Sequence, residues 1–244
     1  MLILKFRNFR VYVNPVAAII EMIGISYIVN SVPSVAGPGL NFLGYLVVSF
    51  LILVGLLGSL FAHEYAHFLA ARWIRLPVEG ITISVFGAYT SVDGEPSTPK
   101  DAFIISIAGP LMNVFIGAIF YAGYIVFPQA EIAAAVCFCL AVFNGVLGAY
   151  NLLPVMPLDG GFIVRSAFWK ASRDWGRSTR ISFDIGTGVV LICIVTGVIN
   201  LFMRNTVAGV FFLIFGICLW QSERLAYQQM SAARFLSMVS PRHR

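Results

Sequence analysis

The chain has 244 residues and a net charge of +5, and 59% of its residues are hydrophobic while only 11% are charged. Soluble domains carry about 25% charged residues. This composition, with a mean hydropathy of +0.88, therefore excludes an ordinary soluble domain and favours an integral membrane protein. The basic residues are grouped in short segments between apolar runs, which indicates membrane orientation. We expect no nucleic-acid partner, because that needs a basic face on a soluble domain.

Six apolar runs are long enough to cross the lipid bilayer, which takes about 20 helical residues. The predicted spans cover residues 12–32, 43–71, 103–127, 130–151, 183–203 and 205–221. The first run follows basic residues, as in a signal peptide, but it is longer than the apolar part of such peptides, and we read it as a span. The expected fold is therefore an all-α polytopic membrane protein with about six transmembrane helices.

The basic residues predict the orientation of these spans. All Lys and Arg residues except Arg204 lie before span one, between spans two and three, between four and five, or after span six. These segments share one side of the membrane if the spans alternate in direction. Because positively charged loops stay in the cytoplasm, we expect both termini there, in a multi-pass protein of the cell (plasma or inner) membrane.

The segment between spans two and three is the largest one that is not simply apolar. Residues Ile81–Val85 alternate apolar and polar side chains, which is the period of a strand. Gly87, Gly94, Pro96 and Pro99 then indicate turns. We expect a short β-hairpin or re-entrant element here, at the cytoplasmic mouth of the protein.

An H-E-x-x-H motif, His63-Glu64-Tyr65-Ala66-His67, lies near the end of the second span. Residues four apart share one face of a helix, so both imidazoles can reach one metal ion. The intervening Glu64 then lies near the open position of the metal, where it can accept a proton from bound water. Ionisable side chains are costly within an apolar span unless they are paired, metallated or facing a polar cavity.

A catalytic zinc site needs a third protein ligand, and Asp159 is the best-placed candidate. It lies in Asn151-Leu-Leu-Pro-Val-Met-Pro-Leu-Asp159-Gly-Gly161, where prolines and glycines prevent a regular helix. Broken backbone at membrane depth is tolerated where it lines a cavity. The alternative for Asp159 is an ordinary helix-ending turn. Glu21 lies in mid-span and stays open as a third ligand, whereas Glu131, at the opposite side, and His243, in a charged tail, fit less well.

These two motifs, in this order, resemble the site-2 protease family of intramembrane zinc metalloproteases, peptidase family M50. That family carries H-E-x-x-H on one helix and L-D-G on a later one, which Leu158-Asp159-Gly160 matches. Two further segments are similar to family sequences, namely Asn151-Leu-Leu-Pro154 and Ala108-Gly-Pro-Leu-Met-Asn113. The resemblance covers about residues 55–170. We expect the compact form of the family, without PDZ or CBS domains.

The resemblance implies that His63, His67 and Asp159 bind one zinc ion per chain. It implies that Glu64 is the general base and then the proton donor to the leaving amine. Residues 1–221 would form a single transmembrane protease domain with a catalytic core over about 43–170, and 222–244 a cytoplasmic tail. The expected partners are the lipid bilayer and a membrane-tethered substrate, cut within or near its transmembrane helix by an active site toward the cytoplasm.

Asn151 has two interpretations. In relatives an Asn at this position is thought to face the active site, and a neutral amide can donate a hydrogen bond to the oxyanion of the transition state. A helix C-cap or an interhelical hydrogen bond explains it equally well. Asn113 and Asn144 have the same ambiguity. We also predict that an unwound substrate segment adds as a strand to residues 81–85.

Two functions outside proteolysis compete with this one. The first is a non-proteolytic zinc-binding membrane scaffold, which the presence of the base and all three expected ligands disfavours. The second is a metal transporter, which needs polar residues along a path and often internal repeats. In this chain the chemically reactive polar residues are concentrated at one depth in the membrane, and no internal repeat is evident.

Overall fold

The structure is a computed structural model that describes residues 2–6, 9–13, 41–76, 78–84, 87–92 and 96–239. The surroundings of individual side chains are described for residues 41–76 and 96–232. Ten elements follow along the described parts of the chain. They are β1 (Leu2–Phe6), β2 (Phe9–Val13), α1 (Phe42–Trp73), β3 (Val78–Ser84), β4 (Gly87–Val92), α2 (Pro99–Val126), α3 (Glu131–Asn151), α4 (Asp159–Ser172), α5 (Trp175–Phe202) and α6 (Thr206–Val239).

Five of these helices are long and apolar enough to cross a membrane: α1, α2, α3, α5 and α6 through Ala232. Many of their largest apolar side chains are exposed, such as Phe50, Phe115 and Phe211, each about 60% exposed. Exposed apolar surface of this extent is expected where lipid is the solvent. The chain is therefore a multi-pass membrane protein. The predicted span over 12–32 falls almost wholly outside the described residues, and its first two positions belong to β2.

The strands form one sheet in the order β1-β2-β3-β4. β1 and β2 pair antiparallel, β2 and β3 pair parallel from Arg10 opposite Gly80 to Val13 opposite Ile83, and β3 and β4 pair antiparallel. β3 is thus paired on both sides. The prediction that residues 81–85 accept an added substrate strand is therefore wrong, because residues 81–83 already pair with both neighbouring strands; the outer edge on this side belongs to β4.

The chain divides into two compact units, the first comprising residues 1–97 and 107–150 and the second 98–106 and 151–244, with one boundary inside α2. In the first unit, α1 packs on α3 through a buried apolar cluster of Val48, Ile52, Leu56, Ala135 and Leu140. The Leu140 side chain fills the space beside Gly55, where a Cβ would lie 2.5 Å from it. This close approach places the polar residues of α1 and α3 beside each other.

In the second unit, α5 packs on α6 and α4 packs on α5. Glycines bring α5 and α6 close together: a Cβ on Gly197 would lie 2.9 Å from the backbone nitrogen of Leu213. The Ser182 hydroxyl donates a 2.7 Å hydrogen bond to the carbonyl of Gly161, which ties α5 to the first turn of α4. α6 continues past Gln221 to Val239, so most of the predicted tail extends the last spanning helix, as its many helix-favouring residues allow.

Candidate metal centre

His63 and His67 lie on one face of α1, one turn apart, and both are buried, at 5% and 7% exposed. Their Nε2 atoms are 3.2 Å apart. Two nitrogens bound to one tetrahedral zinc ion at about 2.05 Å each would be separated by about 3.3 Å. The imidazole pair therefore already has the spacing that a shared zinc ion requires.

Gly109 of α2 leaves the space beside these two nitrogens open. A Cβ at this position would lie 2.5 Å from His63 Nε2 and closer still to His67 Nε2. No real Cβ tolerates such contacts, so any other residue here would fill the volume beside both nitrogens. The histidine pair and the glycine together form a cradle that fits a metal ion, and this fit rests on side chains of the first unit alone.

We expect Gly109→Ala to weaken zinc binding by at least about 10-fold, because the new methyl group displaces the imidazoles or occupies the metal position. Gly58→Ala is the matched control, since a Cβ on Gly58 of α1 meets no atom within 4 Å. Zinc affinity is measured by competition with a chromophoric chelator in detergent. Equal affinities in the two variants would show that the space beside Gly109 is not where the metal binds.

A chain of buried hydrogen bonds runs from α3 through α2 to Nδ1 of His63. Its Nδ1 bonds to Asn113 Oδ1. Asn113 Nδ2 donates to Asn144 Oδ1 at 3.0 Å, and Asn144 Nδ2 donates to the Leu140 carbonyl at 2.8 Å and to Ser59 Oγ at 3.0 Å. Asn113 and Asn144 are fully buried. A metal-binding histidine usually donates its other ring N–H to such an outer partner, which fixes the ring orientation.

Glu64 is also buried, at 5% exposed, and follows His63 directly on α1. A carboxylate kept from bulk water needs compensating partners, and Glu64 makes polar or electrostatic contacts in the structure. In an H-E-x-x-H motif, the carboxylate that follows the first histidine can act as general base for metal-bound water.

Asp159 is the first residue of α4, in the second unit, and follows the extended residue Leu158. The glycine pair after it permits a tight backbone arrangement. A Cβ on Gly160 would overlap the carbonyl oxygens of Leu152 and Leu153, and one on Gly161 would lie 2.7 Å from the Met156 nitrogen. The loop over 152–158 therefore folds closely against the first turn of α4, which explains why two glycines follow the aspartate.

The other residues that the sequence suggests for the site lie in different parts of the chain. Asn151 is the last residue of α3 and belongs to the second unit. Glu131 is exposed at the start of α3, and Glu21 and His243 fall outside the described residues. The sequence alone does not single out Gly109, and it favours Asn151 over Asn113 and Asn144. The signal for the asparagines was present, because a buried amide within an apolar span needs a polar partner.

A family profile described as peptidase family M50 matches residues 51–136 and 127–195, more than half of the chain. The chain belongs to peptidase family M50. The resemblance to site-2 proteases that the two motifs indicate is thereby confirmed. The match includes the H-E-x-x-H helix, the segment with Gly109 and Asn113, and the loop that carries Asp159.

Several named M50 relatives are similar to this chain. A Mycobacterium tuberculosis protein named "Putative zinc metalloprotease Rip3" is 36% identical over 187 residues, which is 73% of this chain and 48% of that protein. "Putative zinc metalloprotease sll0528" of Synechocystis is 32% identical over 58% of this chain and 38% of its own length. "Zinc metalloprotease MJ0392" of Methanocaldococcus jannaschii is 28% identical, over 67% and 47%.

The chain spans about half the length of the curated relatives that it matches. One solved structure, of the site-2 protease from Methanocaldococcus jannaschii, aligns with a TM-score of 0.58 over 93% of this chain and 94% of that one, at 21% identity. At this identity the alignment shows a shared fold. Membership of M50, a family whose named relatives here are zinc metalloproteases, implies zinc as the metal for the histidine cradle.

Proposed function

We propose that this protein is a zinc metalloprotease that hydrolyses a peptide bond within or near a transmembrane segment of a membrane-tethered substrate. The observation that carries this proposal is the buried His63–His67 pair, with Nε2 atoms 3.2 Å apart beside the space that Gly109 leaves open. Membership of M50 supports the same conclusion.

The proposed zinc ligands are His63, His67 and Asp159, which supply two imidazole nitrogens and one carboxylate oxygen. Three protein ligands leave a position for water, the arrangement of catalytic rather than structural zinc sites. Bound zinc would lower the pKa of that water toward about 7 and polarise the scissile carbonyl. The choice of Asp159 rests on its L-D-G motif, and on the glycine pair that lets the loop before it turn sharply.

Protein side chains carry out proton transfer and stabilise the oxyanion. Glu64 takes a proton from the attacking water and later delivers it to the leaving amine. Asn151, at the end of α3, would donate its amide N–H to the oxyanion. Its position where a regular helix ends also suits a C-cap, so the two roles need separate tests.

Peptide hydrolysis consumes water, which the hydrocarbon core lacks, so we propose that the site opens toward the cytoplasm. The H-E-x-x-H motif lies in the C-terminal third of α1, and Arg72 and Arg75 follow it directly. By the positive-inside rule this end of α1 is cytoplasmic. The same rule places both termini in the cytoplasm.

The proposal is tested with the purified chain and a tagged single-span protein in the same proteoliposomes. We expect cleavage near the transmembrane segment, its loss after chelation, and its return when zinc is added back. Cleavage that persists in chelator would contradict a zinc mechanism. A zinc-loaded chain that cleaves none of a panel of such substrates, including ones with helix-weakening Gly and Asn residues, would favour the scaffold interpretation.

A further inference from the structure

A chain of buried hydrogen bonds in the first unit has a direction that the protein backbone imposes. It starts at the carbonyl oxygen of Leu140, which can only accept. The side-chain group of Asn144 that lies 2.8 Å from this oxygen must therefore be the amide nitrogen. The orientation of an asparagine amide is often ambiguous, because its oxygen and nitrogen look alike, but here a backbone acceptor decides it.

This orientation propagates toward the histidine. With its nitrogen at Leu140, Asn144 presents its oxygen to Asn113, which must then donate from Nδ2. Asn113 in turn presents its oxygen to His63 Nδ1. Because an amide oxygen only accepts, the proton of this contact must lie on Nδ1 of the imidazole.

We propose that the Leu140 carbonyl, Asn144 and Asn113 form a one-way relay that holds His63 in its Nδ1–H tautomer and so leaves Nε2 unprotonated and able to bind a metal. Asn113 and Asn144 are thus positioning residues, and the inference rests on the proposed function for the identity of the metal. A neutral imidazole can place its proton on either nitrogen. Only the tautomer with a bare Nε2 can bind a metal through the atom that faces His67.

Helix packing keeps the relay in place. Each asparagine faces a glycine on the opposite helix: a Cβ on Gly148 of α3 would lie 3.3 Å from Asn113 Cβ, and one on Gly117 of α2 would lie 3.4 Å from Asn144 Cβ. Small residues let membrane helices approach closely enough for interhelical hydrogen bonds. The Leu140 side chain also packs against Gly55 of α1, so the anchor of the relay belongs to the apolar core.

The decisive experiment reads the tautomer directly in metal-free protein. The chain has three histidines, and in a His243→Gln background a sample labelled with ¹⁵N at histidine reports only His63 and His67. At alkaline pH, where imidazoles are neutral, we expect the parent to carry the His63 proton on Nδ1. Asn113→Leu should remove this preference, and zinc affinity, measured by chelator competition, should fall about 10- to 100-fold.

Two more variants locate the anchor. Asn144→Leu leaves Asn113 beside His63 but frees its amide to turn over, so we expect a mixed tautomer and a smaller loss of zinc affinity, on the order of 10-fold. Ser59→Ala removes another acceptor from the same Asn144 nitrogen but keeps the Leu140 carbonyl, so the tautomer should not change. A Ser59→Ala effect as large as that of Asn144→Leu would overturn the backbone anchor.

The outcomes separate this inference from the proposed function. A parent that binds no zinc but shows the Nδ1–H tautomer would defeat the proposed function and leave the relay standing. A parent that binds zinc while Asn113→Leu changes neither tautomer nor affinity would overturn the relay alone. If Asn113→Leu does not fold, the same two readouts on Asn144→Leu decide the question.

Discussion

Replacing Glu64 with Gln is expected to remove nearly all proteolytic turnover while leaving zinc bound. Gln has the size and shape of Glu but cannot accept a proton from water, and a positioned general base typically contributes about 10²- to 10⁴-fold to a rate. We therefore expect kcat to fall by at least about 100-fold. The proposed ligands His63 and His67 keep their helix and their contacts, so zinc per chain should match the parent.

The measurement pairs single-turnover cleavage of a tagged single-span substrate with zinc analysis of the same preparation. Glu131→Gln is the matched control, because it makes the same chemical change at an exposed acid at the start of α3. It should cleave at the parental rate. A Glu64→Gln variant that stays active would show that another group takes the proton, and one that loses zinc would show that Glu64 supports the metal instead.

The sequence predicts much of this protein because its strongest signals are local. Helix spacing alone puts His63 and His67 on one face, and the structure has their Nε2 atoms 3.2 Å apart. Four of the described spanning helices begin within about one turn of a predicted run, since long apolar segments have few alternatives in a membrane. The exception is α5, which begins at Trp175, eight positions before the predicted 183. Asp174 caps that helix, and its polar first turns carry no hydropathy signal.

The features that the sequence does not predict depend on contacts between distant residues. β2 pairs with β3 across some 70 positions, with Arg10 opposite Gly80, and no local period encodes that register. The relay likewise joins residues of three helices, and only packing reveals which buried amide faces which imidazole. Gly109 is a further example of such a contact. A side chain at this position would clash with the two histidines of α1, which lie far away in the sequence.

Replacing Asp159 with Ala is expected to lower zinc affinity by more than the roughly 100-fold that loss of an outer partner can cost, because it removes one of three proposed ligands. The parent should hold about one zinc ion per chain after chelator-free purification, and the variant much less than that. Proteolytic turnover per chain should fall in proportion to the zinc bound per chain. Glu131→Ala is the control that deletes an exposed carboxylate without touching the proposed site.

The effect of Asp159→Ala on folding stability can be measured separately from its effect on zinc binding. Asp159 also lies in the first turn of α4, where a carboxylate stabilises a helix by about 0.3–1 kcal/mol through its dipole. If that were its whole role, Asp159→Ala would shift the melting temperature of the metal-free protein slightly and leave zinc affinity intact. We expect the opposite pattern, with small changes in the metal-free protein and a large loss of zinc-dependent stabilisation. Zinc retained in Asp159→Ala would leave the histidine pair in place and make Glu21 the next candidate for the third ligand.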